Sequence, residues 1–239
     1  MTPLQIIALA IAALLILAGL AYWQLGIAEG AYLGRRVVVW LYDRFAPRYE
    51  AVKAYDPGWE RETLADPVVA WLERRPPTEA NAPVLALDVA TGTGRFAAAL
   101  LSHPGYAGRV IALDLSQRML SIARHKLAPY GGRVEVRQAD AQVLAYADNS
   151  IDIVACLEAL EFLPRPDAAL RELIRVCRPG GLLVLTNRIG PDAWKMPGRT
   201  QPTTAFTRRL GELDLIRIRI VPWLVDYDLV FAQKPETSS

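Results

Sequence analysis

Residues 85–100 read LALDVATGTGRFAAAL. A short apolar run passes through Ala90, Thr91, Gly92, Thr93 and Gly94 into a helix-forming stretch. The apolar run suits a strand buried on both faces. Small residues at a strand-to-helix bend have two readings. One is tight packing. The other is a ligand that comes close to the backbone and uses the free N–H groups of the following helix.

Outward from this stretch the same alternation repeats. RVIALDL (109–115) is a second buried strand, and SQRMLSIARHKLA (116–128) a helix with Ser116 as its cap. RVEVRQAD (133–140) and SIDIVACLE (150–158) are strand-like. RPDAALRELIRVCRPGG (165–181) reads as an amphipathic helix stopped by Pro-Gly-Gly, and GLLVLTN (181–187) as a fifth strand. Strands alternating with helices at this spacing predict a parallel sheet covered on both faces. The tail differs: LIRIRIVPWLVDYDLVFAQK (215–234) holds two strand-like runs with a short break. A parallel crossover needs more chain than that, so these two pair antiparallel at one edge. Arg217 and Arg219 alternate with isoleucines and mark its solvated face. The expected fold is α/β: a Rossmann-like, doubly wound, seven-stranded sheet, mostly parallel, with one antiparallel strand in a C-terminal hairpin.

Upstream, PGWERETLADPVVAWLERRPP (57–77) reads as one helix, opened by Asp56-Pro57 and stopped by Pro76-Pro77. PPTEANAP (76–83) reads as a polar linker. From Ile6 to Trp23 there is no charged side chain. About 20 such residues cross a hydrocarbon core, and Tyr22 and Trp23 suit its interface. A cleavable signal peptide would want a basic residue before the apolar run, and none is there. Arg35, Arg36, Arg44, Arg48 and Lys53 follow it, which places the bulk of the chain in the cytoplasm and the N-terminus outside. A signal peptide, with AGLA (18–21) as its cleavage site, and a buried helix are the rival readings. AYLGRRVVVWLYDRFA (31–46) suits a helix lying on an anionic surface and, more plainly, the first amphipathic helix of the folded domain, two readings that are compatible. The expected organisation is an anchor over 1–27, juxtamembrane and cap helices over 28–80, and a ligand-binding domain over 81–239.

The 239 residues carry a net charge of +2, spread along the chain, which gives no electrostatic case for a nucleic-acid partner. Cys156 and Cys177 stand alone, without a CxxC pair or Cys/His cluster, so neither a zinc site nor a disulfide framework is expected and both read as core thiols. His103 and His125 show no evident acidic partner and read as surface residues.

In open parallel sheets ligands bind at the carboxyl ends of strands. The 91–94 turn lies there after the first strand, Asp114 after the second, Asp140 after the third and Glu158 after the fourth. Asp114 suits ribose hydroxyls, and Asp140 or its neighbouring backbone an adenine edge. The glycine spacing is not the G-x-G-x-x-G of a pyrophosphate site, since Ala97 stands where the third glycine would fall, and no P-loop lysine follows. An acid-lined rim without a phosphate cradle fits a cationic nucleoside, S-adenosylmethionine. The spacing and the antiparallel tail count against the alternative, a nicotinamide oxidoreductase. A non-catalytic membrane scaffold that kept the fold is a third reading.

VLALDVATGTGRFA (84–97), VIALDLSQRMLSIAR (110–124), RQADAQVLAYADNSIDIVACLEALEFLP (137–164) and ALRELIRVCRPGGLLVLTN (169–187) together resemble the ordered motifs of class I S-adenosylmethionine-dependent methyltransferases, over roughly residues 40–233. DVATGTG, with YDRFAPRYE (42–50) upstream, is most similar to the ubiquinone/menaquinone C-methyltransferase branch. The chain departs from that branch in carrying CLEALEFL where an FGLRN-like segment is usual, and in its C-terminal pattern. The resemblance implies that Asp88, Ala90, Thr91, Gly92 and Gly94 line the methionine and ribose end, and that Asp114 holds the ribose. It implies that Leu115 and Met119 flank the adenine, that Asp140 and Ala141 meet its edge, and that Leu157 and Glu158 lie beside the transferred methyl. A sulfonium methyl is already activated, so a base matters only where the acceptor must lose a proton. Glu158 and Glu161 are the candidate catalytic carboxylates, with Tyr42 and Tyr49 as further candidates. No metal is expected. An anchored domain favours a small lipophilic acceptor such as a quinone or lipid, and no nucleic acid. The segment 188–213 leaves little room for a protein-docking insertion, and Trp194, Met196 and Trp223 are candidates for an apolar pocket.

Overall fold

A computed structural model describes residues 1–75 and 83–236. Seven strands form one sheet: β1 (Leu85–Val89), β2 (Arg109–Asp114), β3 (Val134–Gln138), β4 (Ile151–Cys156), β5 (Cys177–Arg188), β6 (Ile216–Trp223) and β7 (Tyr227–Gln233). Their order across the sheet is β3-β2-β1-β4-β5-β7-β6. β1 pairs parallel with both β2 and β4. β7 is reversed, running antiparallel to β5 on one side and β6 on the other. The seven-stranded sheet with its reversed strand in the final hairpin is as the tail predicted.

The alternating side chains of each strand feed two cores. Ala86, Val110, Ile153 and Val184 point to one face, against Phe96 and Leu100 of α5 (Arg95–Ser102) and Ala123 and Leu127 of α6 (Gln117–Leu127). Leu87, Ile111, Val154 and Leu183 point to the other, against Leu170 and Leu173 of α7 (Pro166–Val176) and Phe206 and Leu210 of α8 (Thr203–Glu212). Both cysteines are buried and unpaired, as read. Ser116 caps α6 by accepting from the Met119 amide at 3.1 Å.

Local chemistry moves several boundaries. α7 ends at Val176 and β5 begins at Cys177, so Arg178-Pro179-Gly180-Gly181 belong to the strand. Cys177 pairs with Ile151 but Leu182 with Ile153, so the Pro-Gly-Gly segment is absorbed as a bulge with Gly180 at φ 70°. Lys234, one residue past β7, donates to the carbonyls of Ile174 (2.8 Å) and Cys177 (2.9 Å) and so finishes α7 from across the sheet. The segment from Pro57 is not one uniform helix. It runs as α3 (Pro57–Glu60), a wide turn over Arg61–Ala65 and α4 (Asp66–Leu72). Pro67 has no N–H to donate and its ring would press on the carbonyl four residues back, which the widened turn relieves. The stop at Pro76-Pro77 and most of the linker after it lie outside the described residues. His103 is not partnerless: its Nε2 lies 3.1 Å from Asp66 Oδ1.

Ahead of the sheet, α1 (Pro3–Tyr22) opens with a capping box between Thr2 and Gln5. It runs without a break into a wider turn over Trp23–Ile27. The most apolar 18-residue window of this 25-residue segment has mean hydropathy 2.6, and the segment is long and apolar enough to cross a membrane. Its last turn is fastened to the folded domain. Trp23 Nε1 donates to the Lys195 carbonyl (2.9 Å) and its ring stacks on Tyr32 at 5.2 Å. The Tyr32 hydroxyl donates to the Pro197 carbonyl (2.7 Å). α2 (Arg35–Lys53) follows and lies across the carboxyl ends of the strands.

Candidate active site

The carboxyl ends of β1, β2 and β4 open into a cleft of about 1040 Å³ including its open mouth. The sheet order reverses between β1 and β4, so the helices after these strands part to opposite faces and leave the gap. Asp88, Ala90, Thr91, Gly92, Asp114, Leu115, Met119, Asp140, Ala141, Leu157 and Glu158 all line it. The sequence-predicted residues thus come together in one place, with two exceptions. Gly94 is not on the lining. At φ 84° it heads α5, and a Cβ there would meet Leu127 Cδ1 at 3.0 Å, so this glycine serves packing. Gly92 does the opposite: at φ 55° it lines the cleft, and a Cβ would meet no atom of the described residues within 4 Å. Glu161 is the second exception. It is buried, 3 % exposed, below the cleft, where it accepts from the Tyr227 hydroxyl at 2.6 Å. Burial raises its pKa.

The acids differ in their surroundings. Asp88 is buried and its Oδ2 accepts from Thr91 Oγ1 (2.5 Å) and the Ala97 amide (3.2 Å), which clamps the turn. Burial pushes its pKa up to about 6. Asp114 accepts from the Gly92 amide (2.9 Å) through Oδ2 and the Ser116 amide (2.8 Å) through Oδ1. Burial raises its pKa too, against those hydrogen bonds. Each Asp114 oxygen keeps further acceptor capacity. Asp140 accepts from the Gln142 amide and is ion-paired with Arg35 of α2. Glu158, at φ 49°, is held through both oxygens: Oε1 by Arg95 (2.5 Å) and Oε2 by Lys53 (2.6 Å).

Several lining residues were not singled out from the sequence. Arg35, Val38 and Val39 of α2, and Tyr55 beyond it, roof the cleft alongside Tyr42 and Tyr49. Tyr42 donates to Glu29 (2.8 Å), and the Tyr49 and Tyr55 hydroxyls share a hydrogen bond at 3.2 Å. Burial raises the pKa of Tyr42 and Tyr49 well above the phenol range, so both keep their protons. Arg95 is the most connected residue missed. It forks onto Glu60 (2.5 and 2.6 Å), reaches Glu158, and lies between the rings of Tyr55 (3.9 Å) and Trp223 (4.2 Å). A charge directly after TGTG, opening an otherwise apolar helix, was the available signal. Trp223 also stacks on Trp59 at 6.0 Å and is core, Met196 is buried with Ala31 and Phe162, and Trp194 is 75 % exposed, so none of the three lines this cleft.

The residues fit an adenosyl cofactor: a turn with open space at Gly92, a carboxylate with acceptor capacity at Asp114, and apolar walls at Leu115 and Met119. A methyltransferase-domain family model matches residues 87–185. Among solved structures, the cyclase SpnF superposes with TM-score 0.66 at 20% identity over 85% of this chain and 97% of its own. A SAM-dependent methyltransferase from Aquifex aeolicus gives TM-score 0.53 at 24% identity over 74% and 98%. These likenesses establish the class I methyltransferase fold. A demethylmenaquinone methyltransferase from Desulfitobacterium hafniense is 30% identical over 192 residues, 76% of this chain and 70% of that one. A ubiquinone/menaquinone biosynthesis C-methyltransferase from Pseudomonas putida is 39% identical over 101 residues, and the match spans 40% of its length. The chain belongs to the class I S-adenosylmethionine-dependent methyltransferases, near the ubiquinone/menaquinone C-methyltransferase branch. Its cofactor is S-adenosylmethionine, which replaces the nicotinamide alternative.

Proposed function

We propose that this protein methylates a small lipophilic acceptor, of quinone or lipid kind, at a membrane. The observation that carries the reading is continuity. The apolar segment Pro3–Ile27, none of it buried in its most apolar window, leads within a few residues into α2, the roof of the cofactor cleft. Two relatives named for menaquinone or ubiquinone methylation agree with it. Residues 1–27 act as the anchor, 28–80 as linker and roof, and 81–239 as the methyltransferase domain. Basic residues from Arg35 to Lys53 put that domain on the cytoplasmic side.

When bound, the cofactor supplies an activated methyl group. Asp114 accepts from the ribose hydroxyls, and Leu115 and Met119 enclose the base. Asp140 and Ala141 lie at the base edge, with the Asp140 carboxylate shared with Arg35. Asp88, Ala90, Thr91 and Gly92 shape the turn beneath the amino-acid end. Leu157 and Glu158 border the methyl. With both oxygens held by cations, Glu158 acts by positioning Arg95 and Lys53 rather than by taking a proton. Glu161 does not line this cleft.

Incubating the protein with methyl-labelled S-adenosylmethionine and a detergent extract of membrane lipids should label a species that partitions into organic solvent. Asp114→Ala should weaken cofactor binding at least tenfold, the effect of losing charged hydrogen bonds of about 1.5–3 kcal/mol. Undiminished binding in a folded Asp114→Ala protein would overturn the assignment. Cofactor binding with no labelled product would favour the scaffold reading.

A further inference from the structure

A second cleft lies beside the first. Its walls are the last turn of the apolar segment (Leu25, Gly26), one face of α2 (Phe45, Val52) and the β6–β7 turn (Leu224, Val225). It encloses about 1700 Å³ including its open mouth. Tyr42, Tyr49, Glu158 and Phe162 line both clefts, so the two share a wall at the place where the methyl group would be.

Mouth and floor differ in chemistry. Leu25, Phe45, Val52, Leu224 and Val225 are all exposed, Val225 to 86 %. They come from three separate parts of the chain and converge on one rim, next to the end of a helix fit to cross a bilayer. A converging apolar rim of this kind marks an interaction surface rather than scattered apolar residues. The floor is polar. Arg188 lies over the rings of Phe162 (5.9 Å) and Tyr227 (5.7 Å), and its nearest carboxylate, Glu161, is 3.8 Å away. The Arg188 Nε is buried and has no acceptor among the described residues. Arg188 itself lines the cleft, and apart from Glu161 no acceptor is paired with its guanidinium among the described residues, which leaves it donor capacity for an oxygen acceptor.

We infer that this cleft is a lateral doorway for a membrane amphiphile. Its oxygen-bearing head, a phenol, quinol or carboxylate, is held over Arg188, and its apolar tail leaves between Leu25 and Val225 into the bilayer. The inference rests on the methyltransferase reading and adds to it the route and the chemistry of the acceptor. The occupant is an amphiphile rather than a protein segment because the mouth opens at the level of the apolar helix's last turn, where lipid is the neighbouring phase.

The test uses the full chain in phosphatidylcholine nanodiscs with a long-chain alkylphenol carrying a photoreactive tail. Crosslinks should map to residues 25–52 and 224–227. Arg188→Met should weaken binding of this probe at least tenfold, the effect of losing one charged hydrogen bond. Val225→Asp, at a fully exposed turn, keeps the fold and should weaken it as well. S-adenosylmethionine affinity should stay unchanged in both. Crosslinks confined to α1, or probe binding equal in wild type and Val225→Asp, would overturn the doorway. Vesicle binding lost in Val225→Asp with probe binding in detergent intact would also overturn it, leaving a surface that merely rests on lipid. Loss of cofactor binding by the wild-type chain would instead mark failure of the methyltransferase reading itself.

Discussion

Ala90 and Asp88 show how the turn is held. Ala90 sits at φ 57°, left-handed for a residue with a Cβ, which costs about 1–2 kcal/mol. The Asp88 carboxylate clamps the same turn from below through Thr91 and Ala97. Burial raises its pKa from 3.8 to about 6. The folded state therefore holds this proton more tightly than the unfolded chain does. The associated stability is present below pH 4 and is lost as the pH rises through about 6, roughly 3 kcal/mol in all. Asp88→Asn keeps an acceptor for both donors and removes the titration. Urea unfolding at pH 4.5 and pH 7 should show a smaller loss of stability in the variant than in the wild type. An equal loss would mean that another group titrates in this window. Asp88 was legible as a cleft residue only through the resemblance of its motif to the methyltransferase family. Its buried proton was not, because burial depends on how α5 closes over the strand.

At the scale of elements, α2 decides what the cleft is. Its mix of apolar and basic residues marked it as a helix, with two compatible destinations, an anionic surface and the folded domain. Polar contacts settle it onto the rim. Arg35 meets Asp140, Asp43 accepts from Ser116 Oγ (2.5 Å), Glu50 meets Lys126 (2.7 Å) and Lys53 meets Glu158 (2.6 Å). Pro47 inside α2 has no N–H for the Asp43 carbonyl, and Arg118 of α6 donates to that carbonyl at 3.3 Å. The helix breaker thereby supplies the contact that orients the roof. Asp43→Ala removes the acceptor for Ser116 and should loosen α2 by about 1–3 kcal/mol. Hydrogen exchange should speed up in residues 35–53 and stay unchanged in β1, β4 and β5. Uniform change across the sheet would mean that α2 is part of the global unfolding unit. These partners lie about 75–105 residues apart, so no local pattern could have paired them.

For the whole molecule, the apolar segment and the catalytic domain meet at a small, specific joint. Residues Pro3–Tyr22 are exposed along their whole length, whereas Trp23, Tyr32 and Arg199 tie the turn after them to the loop beyond β5: the Arg199 guanidinium donates to the Ala31 carbonyl (2.7 Å) and lies over Tyr32 (5.2 Å). A chain lacking residues 1–20 keeps this joint. It should retain its unfolding midpoint and cofactor affinity but stay in solution when membranes are pelleted. Co-sedimentation of the shortened chain would assign membrane binding to the exposed apolar rim instead, and a lowered midpoint would make the segment part of the fold.

The sequence by itself determined the sheet, its reversed strand and the acids at the strand ends, because each follows from local periodicity, chain length between strands and the chemistry of a turn. It also determined that Ile6–Trp23 has no polar face to present to water. Tertiary structure alone decided which glycine faces the cleft and which packs on Leu127. It decided that Glu158 is clamped by Arg95 and Lys53, that Glu161 lies below with Tyr227, and that a second cleft opens beside the apolar segment. Those outcomes depend on charges and surfaces far apart in the chain, and closing the fold brings them within hydrogen-bonding distance.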